Sequence, residues 1–561
     1  MKNRIKIIVA LAALVFVVGG TKAKNNETEI ARSLDMFTSV FKNLHTYYVD
    51  TISTQKSVDR AIDAMLNDID PYTEYYPAKE QEEFRSLTKG EYAGVGSAIM
   101  FRDGATYFTE PYEGSPAALA GILPGDKIVK VDGDSVIGLA IDKVSERLKG
   151  QPKTVVKVEI ERPHVGKVEL ELVRQKIQIP SVPYYGLQRG NLGYISLTTF
   201  NENSAQEVKD ALLELKKNPA VKNIVLDLRG NGGGLLESAV QIVGYFVPKG
   251  TEVLTQRGKL KQNTKTYKTT HEPIDDKIPL VVLIDGGSAS SAEIVTGALQ
   301  DLDRAVIIGN RSFGKGLVQT TLALPYDAMM KVTTAKYYIP SGRLIQAIDY
   351  SHRNPDGSVA RIPDSLTTVY HTANGREVRD GGGITPDIEV QYPKVNRLAY
   401  NIVKDFWAFD FATKYYHENK DIPAVEDFVV TDTIYNQFKR FINPDKFQYD
   451  KVCEEGLKQL REVADTEGYM NDSTKAVFAQ LEQLLKHDLN RDLDLHRKMI
   501  AQIVALEIVK RRYYQKGSAI QELKDDPAMD AAVKLFTTDG EYEKILKPAK
   551  NKETSSKKSK K

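Results

Sequence analysis

The chain has one cysteine, Cys453, and one tryptophan in 561 residues. A single thiol excludes an internal disulfide and any metal site built on cysteines. Histidine is scarce too. None of the eight falls in an H-E-x-x-H or other paired spacing, so no metal and no cofactor are expected. Charge of one sign is not in excess: 77 Lys and Arg stand against 75 Asp and Glu, a net charge of +2. That balance gives no general reason to expect nucleic acid. The N-terminal apolar run Ile7–Gly20 is shorter than the roughly 20 residues a membrane span needs. It follows basic Lys2, Arg4 and Lys6 and precedes the small-x-small site Thr21-Lys22-Ala23. Residues 1–23 therefore read as a secretory signal peptide, with an uncleaved inner-membrane anchor as the alternative. No cysteine follows the segment for lipid attachment, and export, to the periplasm in a bacterium, is the expected location.

What is present is ordinary globular material: 41% hydrophobic and 27% charged residues. The length predicts three or four domains. From about Thr28 to Ser86 apolar residues recur at three- and four-residue spacing, a helical pattern whose second helix ends before Asp70-Pro71. From Glu91 to Lys176 short β-rich runs alternate with glycine and proline, with a short helix at SPAALAG, a second at DKVSERLKG and two alternating strands at VVKVEIERP and KVELELVRQ. From Asn191 to Val390 strands and helices alternate as a βαβ series. The polar stretch Ala347–Gly383 is expected to be a long loop or hairpin. From Lys394 to Lys547 the chain is again helical, and Asp472–Lys516 reads as mostly one helix. The last residues are lysine-rich with no apolar face, a solvated tail with at most a weak attraction to acidic surfaces.

Two motifs carry chemistry. GGSASSAE, Gly286–Glu293, follows the apolar strand IPLVVLID and opens a helical pattern, which puts Ser290 at a helix start. GKGLVQ, Gly314–Gln319, places Lys315 between two glycines, twenty-five positions later. A serine at a helix N-terminus and a lysine on an apolar element can form a Ser–Lys dyad, a variant of the hydrolytic triad, which points to peptide-bond cleavage. Serines at helix starts are more often caps than nucleophiles. Ser288 and Ser291 are the rival nucleophiles, read as supports of the turn. DLRGNGGG, Asp227–Gly234, lacks the Lys-Ser/Thr of a phosphate loop. His271, His352 and His371 lie in polar loops and are expected at the surface, which leaves a Ser-His-Asp triad as the weaker reading. Asp227 is expected to cap its strand or pair with Arg229.

With these motifs in order, the chain resembles the C-terminal processing peptidases, or tail-specific proteases, which are secreted serine peptidases with an embedded PDZ domain. The resemblance runs from about Phe37 to Val390. It includes DPYTEYY (Asp70–Tyr76), YAGVGSAI (Tyr92–Ile99), GSPAALAGILPGDKIVKVDG (Gly114–Gly133), DLRGNGGG, GSASSAE, GKGLVQ, KYYIPSGRLIQ (Lys336–Gln346) and GITPD (Gly383–Asp387). It implies a multidomain α/β fold: a βαβ core of the crotonase and Clp-protease kind at 177–393, an inserted PDZ domain at 87–176, and helical regions at 28–86 and 394–547, with the tail at 548–561. It implies Ser290 as nucleophile, Lys315 as general base and Gln319 as the residue that orients the lysine amine. It implies DLRGNGGG as the oxyanion segment, with N–H groups of Ser291 and of either Gly232 or Gly233 as donors. Two departures stand out. Lys149-Gly150 replaces a frequent Arg-Gly after the second PDZ helix, keeping the charge and losing the planar fork, and the Gln346–Gly383 loop is long.

The chemistry fits these assignments. A serine hydroxyl is a poor nucleophile until a base takes its proton. Lysine is that base only when neutral, and burial lowers its reference pKa of about 10.4. A PDZ domain binds an extended peptide along a sheet edge and holds its terminal carboxylate with loop amides. Gly94, Val95 and Gly96 are the expected carboxylate loop, with Val144 and Leu148 lining the groove. The expected partners are proteins with exposed apolar C-termini; a homodimer or an adaptor protein is left open, and membrane contact is expected only through an uncleaved N-terminal segment or, weakly, the lysine tail. The alternatives are a non-catalytic PDZ scaffold that presents C-termini to another enzyme, and a small-acyl hydrolase, against which the PDZ insertion argues.

Overall fold

The computed structural model describes residues 27–81, 88–163, 165–354, 358–419 and 421–547. The segment 1–23, read as a signal peptide, and residues 548–561, read as a solvated tail, lie outside these residues. The chain forms two compact units. One comprises the chain up to Lys79 together with Gln319–Thr333, the other Glu80–Val318 together with Thr334 onward.

The smaller unit holds a helix over 27–47 and the helix Thr54–Asn67, whose N-cap Ser53 accepts from the Lys56 amide. The region is not helical throughout. Asp70 is buried and accepts from the amides of Tyr72 and Thr73, both at 2.8 Å. This aspartate turn sends the chain into a strand, Glu74–Tyr76, which pairs antiparallel with Met329–Lys331. The partner strand belongs to a hairpin in which Tyr326 and Asp327 take φ values of 60° and 56°, the conformation of a tight two-residue hairpin turn. Helical periodicity misses this strand because three residues are too short to establish alternation.

In the larger unit the strands Leu192–Ser196, Asn223–Asp227, Leu280–Ile284, Val306–Gly309 and Ile388–Glu389 form a parallel sheet in that order, with Tyr184–Gln188 antiparallel at one edge. Side chains alternate across it, as the strand period of two requires. Ile224, Leu226, Leu280, Val282, Ile284 and Ile307 pack against the helices Ser204–Lys217, Leu236–Gly244 and Ser291–Asp301. Val225, Val281, Leu283, Val306 and Ile308 face the opposite way and share one core with the C-terminal helices. Those helices are a layer of the sheet. The tie reaches the chain's last helix, where Tyr542 Oη accepts from the Leu280 amide at 2.9 Å.

The expected single helix over Asp472–Lys516 is three: Asp472–Leu485, Leu489–Leu495 and Arg497–Leu523. Asp488 accepts from the Arg491 amide at 2.8 Å and starts the second of them, the competition that short polar side chains offer a continuing helix. The polar stretch after Gln346 forms two hairpins, Ile348–Arg353 with Val359–Arg361 and Val369–His371 with Glu377–Arg379.

The small β-domain is an antiparallel sheet in the order Ser97–Arg102, Ala105–Pro111, Lys127–Val131, Val155–Arg162, Gly166–Val173. Ser97–Arg102 is its edge strand, beside the helix Ile141–Leu148. The domain rests on the C-terminal helices: Arg102 pairs with Asp410 at 3.0 Å and Lys510 with Glu110 at 2.8 Å.

Candidate active site

The strand Leu280–Ile284 ends at Asp285, and the chain must turn sharply to enter the helix Ser291–Asp301. Asp285 makes that turn: its Oδ1 accepts from the amides of Gly287 at 2.9 Å and Ser288 at 3.1 Å. The same oxygen accepts from the Gly230 amide at 2.9 Å, so it also holds the DLRGNGGG loop against the turn. Ser288 Oγ donates to Leu228 O and Ser291 Oγ to Gly234 O, each at 2.8 Å. Both rival serines are buried, with their hydroxyls bonded to loop carbonyls, the supporting role expected of them. Ser290 is half-buried and has φ 55° and ψ −114°. A non-glycine residue in such a conformation is strained and persists only where its surroundings fix it.

What fixes Ser290 is Glu293, one turn on. This carboxylate is fully buried. Its Oε2 accepts from the Ser290 amide at 2.9 Å and from the Lys315 amide at 2.8 Å. Its Oε1 accepts from the Gly314 amide at 2.7 Å and from Ser312 Oγ. One oxygen atom thus carries the backbone nitrogens of both sequence-predicted catalytic residues. Burial pushes the Glu293 carboxyl above the ordinary carboxylate range, and the donors from Ser312, Lys315, Gly314 and Ser290 pull against that shift. Tyr337 closes the other side: its hydroxyl lies 2.8 Å from Lys315 O and 3.2 Å from Ser290 O. Neither role was read from the sequence. Ser290-x-x-Glu293 is the spacing of a capping box, a signal that could have exposed Glu293; Tyr337 has no local signal.

Lys315 itself is half-buried. Its flanking glycines let the backbone press on Gln346–Ala347: at Gly314, with φ +90°, an added Cβ would meet Ala347 Cβ at 2.3 Å. Gln319 falls in the smaller unit, where its Nε2 donates to Thr333 Oγ1 at 3.1 Å.

The glycine loop distinguishes the two oxyanion candidates. Gly233 has φ +97°, and a Cβ there would meet Ala289 O and Ser290 Cβ, both at 2.8 Å. Its amide, however, donates to Asn231 Oδ1 at 2.9 Å. The Gly232 amide has no hydrogen-bond partner among the described residues, and a Cβ on Gly232 would meet nothing within 4 Å. Ser291 N, at the first turn of its helix, lies beside Gly233. Behind the loop, Arg229 bridges two carboxylates, Asp227 and Asp526, and Tyr194 Oη donates to Asp227 at 2.7 Å. Asp227 therefore pairs with Arg229 as its sequence context implies, and Asp526 joins the site from the C-terminal helices.

Two of the three loop histidines, His352 and His371, are exposed. His271 departs from expectation. It is half-buried, stacked on Tyr245 with ring centroids 5.1 Å apart.

In the β-domain the edge strand and the helix Ile141–Leu148 border a cavity of about 520 Å³. Val95, Ser97, Ile99, Ser145, Leu148 and Lys149 line it. Val144 does not, because it is fully buried in the domain's own core. Thr199 and Asn201 also line it. Between those two residues, Phe200 donates to Gly233 O at 3.1 Å, so the wall of the groove is also the neighbour of the glycine loop.

Residues 191–356 match the family model described as Peptidase family S41, and residues 107–162 match that of a PDZ domain. Residues 398–536 match a model described as Probable PDZ-protease, C-terminal helical domain. The chain is 36% identical over 344 residues to a carboxy-terminal-processing protease of Bartonella bacilliformis, covering 61% of this chain and 79% of that protein. The chain belongs to peptidase family S41. Within the family it is also 30% identical over 495 residues to a probable CtpA-like serine protease of Staphylococcus aureus, covering 86% of this chain and 88% of that one. Among solved structures it is similar to a photosystem II D1 C-terminal processing protease, at 30% identity over 63% of this chain and 86% of that one. The TM-score is 0.35, too low to carry over geometry. As an S41 peptidase the chain is a serine protease, with the S41 fold, a PDZ domain and a helical C-terminal region.

Proposed function

We propose that this peptidase grips the C-terminal tail of an exported protein in the PDZ groove and cuts the chain with Ser290 as nucleophile and Lys315 as general base. The observation that carries the assignment is the shared Glu293 oxygen, which holds both residues' amides while Ser290 is kept at positive φ. Ser290 Oγ attacks the scissile carbonyl as the neutral Lys315 amine takes its proton. The oxyanion forms against the Gly232 and Ser291 amides, which point their dipoles at developing negative charge without reorganising. Lys315 then returns the proton to the leaving amine, and water hydrolyses the acyl-enzyme by the reverse sequence. Gln319 is assigned to the amine on the family motif alone. The Gly94–Gly96 loop takes the substrate's terminal carboxylate, and Leu148 and Ile99 contact its apolar side chains. The segment 1–23 supports export.

The test uses the mature protein and an unstructured test protein carrying an apolar tail, a polar tail, or the apolar tail with an amidated end. Proteolysis is expected to be fastest on the free apolar tail, and amidation to raise KM several-fold with kcat spared. Ser290→Ala is expected to lower kcat by about 10⁴-fold or more. Full cleavage by Ser290→Ala removes the nucleophile assignment, and equal rates on all three tails remove the groove from substrate selection.

A further inference from the structure

One wall of the groove is not supplied by the β-domain. Asn201, on the core segment that follows the strand Leu192–Ser196, lines the cavity together with Gly90, Tyr92 and Lys149. Its own bonds fix it in place. The Asn201 amide donates to Ser204 Oγ and its carbonyl accepts from Ser238 Oγ, each at 2.7 Å. Its Oδ1 accepts from the Asn203 amide at 2.9 Å and from Ser204 Oγ at 3.1 Å, which settles which end of the carboxamide is the nitrogen. The residue is 2% exposed, and its buried Nδ2 has no hydrogen-bond partner among the described residues. Gly90 lies against that nitrogen: at φ +70°, a Cβ there would fall 2.1 Å from Nδ2. From Gly90 the chain runs through the strand Glu91–Gly94 into the loop assigned to the substrate carboxylate. Lys149 adds a cation to the cavity, with Nζ 5.9 Å from the centroid of the Tyr92 ring. The one carboxylate on the cavity wall, Glu91, is taken up by Lys176 at 2.7 Å. A buried donor left without an acceptor is costly and rare, and a donor beside an ammonium suits an anionic oxygen.

We propose that Asn201 is the core's own contact with the bound tail: its Nδ2 donates to the tail's terminal carboxylate, beside the Gly94–Gly96 amides. The inference rests on the reading that this loop takes the tail's terminus. A carboxylate offers two oxygens and roughly four acceptor sites, so loop amides and a core carboxamide can share it. The tail reaches the nitrogen by a small displacement of Gly90, which closes over it in the free protein and carries no side chain. The new bond is charge-assisted and gives a buried donor the acceptor it lacks. An amidated end has one oxygen in place of two, and its NH2 would set donor against donor at Nδ2. Asn201 is therefore a specificity residue for a free terminus. It is also tied to the catalytic loop. The residue before it, Phe200, donates to Gly233 O at 3.1 Å and accepts from the Leu235 amide at 2.7 Å. A terminus held by the β-domain loop and by Asn201 together is held at a fixed place relative to the glycine loop.

The experiment measures binding of a dye-labelled unstructured peptide with apolar terminal residues to the full chain carrying Ser290→Ala, so that the probe is not cut. Free-acid and amidated peptides are compared with and without Asn201→Ser. Serine keeps a hydroxyl that can accept from the Asn203 amide and removes the nitrogen. The variant is expected to weaken the free-acid peptide about tenfold, the scale of one hydrogen bond to a charged group, and the amidated peptide by less than about twofold. Asn201→Asp keeps Oδ1 and sets a carboxylate against the tail's own. It is expected to weaken the free acid further and serves if Asn201→Ser does not fold. Equal weakening of both peptides, or of neither, in a folded variant overturns the contact with the carboxylate and leaves the groove assignment standing. If the parent protein itself does not distinguish acid from amide, the groove assignment fails first, and the Asn201 contact with it.

Discussion

The Ser290 turn and the PDZ groove are built from the same parts: a strand, a glycine-bearing loop and a helix. In the turn two carboxylates and two hydroxyls gather the loop. Asp285 collects three amides, Glu293 collects three amides and a hydroxyl, and Ser288 and Ser291 give their hydroxyls to carbonyls. The Gly232 amide has no partner among the described residues. In the groove the Tyr92 ring, Val95, Ile99 and Leu148 line a cavity of about 520 Å³. A turn that must keep a serine at positive φ needs many restraints, because strain persists only when over-determined. A groove that must accept different tails needs few. Pre-organisation serves the chemical step, and open space serves selection.

The comparison breaks most sharply at Lys315. Lys315→Arg keeps the charge and much of the bulk, yet guanidinium does not give up its proton in proteins. The variant is expected to lose kcat on the scale of Ser290→Ala at every accessible pH while tail binding in the groove is unchanged. Substantial proteolysis by folded Lys315→Arg enzyme would return the base to an open question and bring the histidines back into consideration.

A smaller effect separates the two glycines. Gly233→Ala forces a left-handed backbone and a Cβ into Ala289 O and Ser290 Cβ, and kcat is expected to fall at least about 100-fold, the scale of a lost oxyanion donor. Gly232→Ala keeps its amide and meets open space, so kcat is expected to stay within about threefold. Equal damage from both substitutions would mean that the loop as a whole, not the Gly233 approach, sets the geometry.

The smallest effect concerns stability. Glu293 is held above its unfolded pKa by burial. The folded state therefore binds more protons between the two values, and this carboxyl's contribution to stability falls as pH rises from about 4.3 through the folded value. Glu293→Gln should flatten that part of the pH profile in urea titrations. An unchanged slope would show that the four donors compensate burial fully.

The sheet was legible because its strands are short apolar runs between helical periods: IPLVVLID became Leu280–Ile284. Ser290 and Lys315 were legible as motif positions, and Ser288 and Ser291 as supports. What stayed hidden depends on contacts distant in sequence or on folded-back side chains. Tyr337 reaches Lys315 O across a strand, Asp526 reaches Arg229 across the whole C-terminal region, and Val144 points into its own core instead of the groove. Tyr92 was counted as part of a glycine motif, and no periodicity tells that its ring returns over Gly94.

Tyr542 hydrogen-bonds to the strand that leads into the Ser290 turn, and Asp526 pairs with the arginine behind the glycine loop. Both lie near the end of the chain. During synthesis the Ser290 turn and the glycine loop emerge long before these two anchors do. A nascent or truncated chain therefore carries Ser290 without the last struts that hold its turn, and the turn is completed only when the helices that carry Asp526 and Tyr542 have arrived.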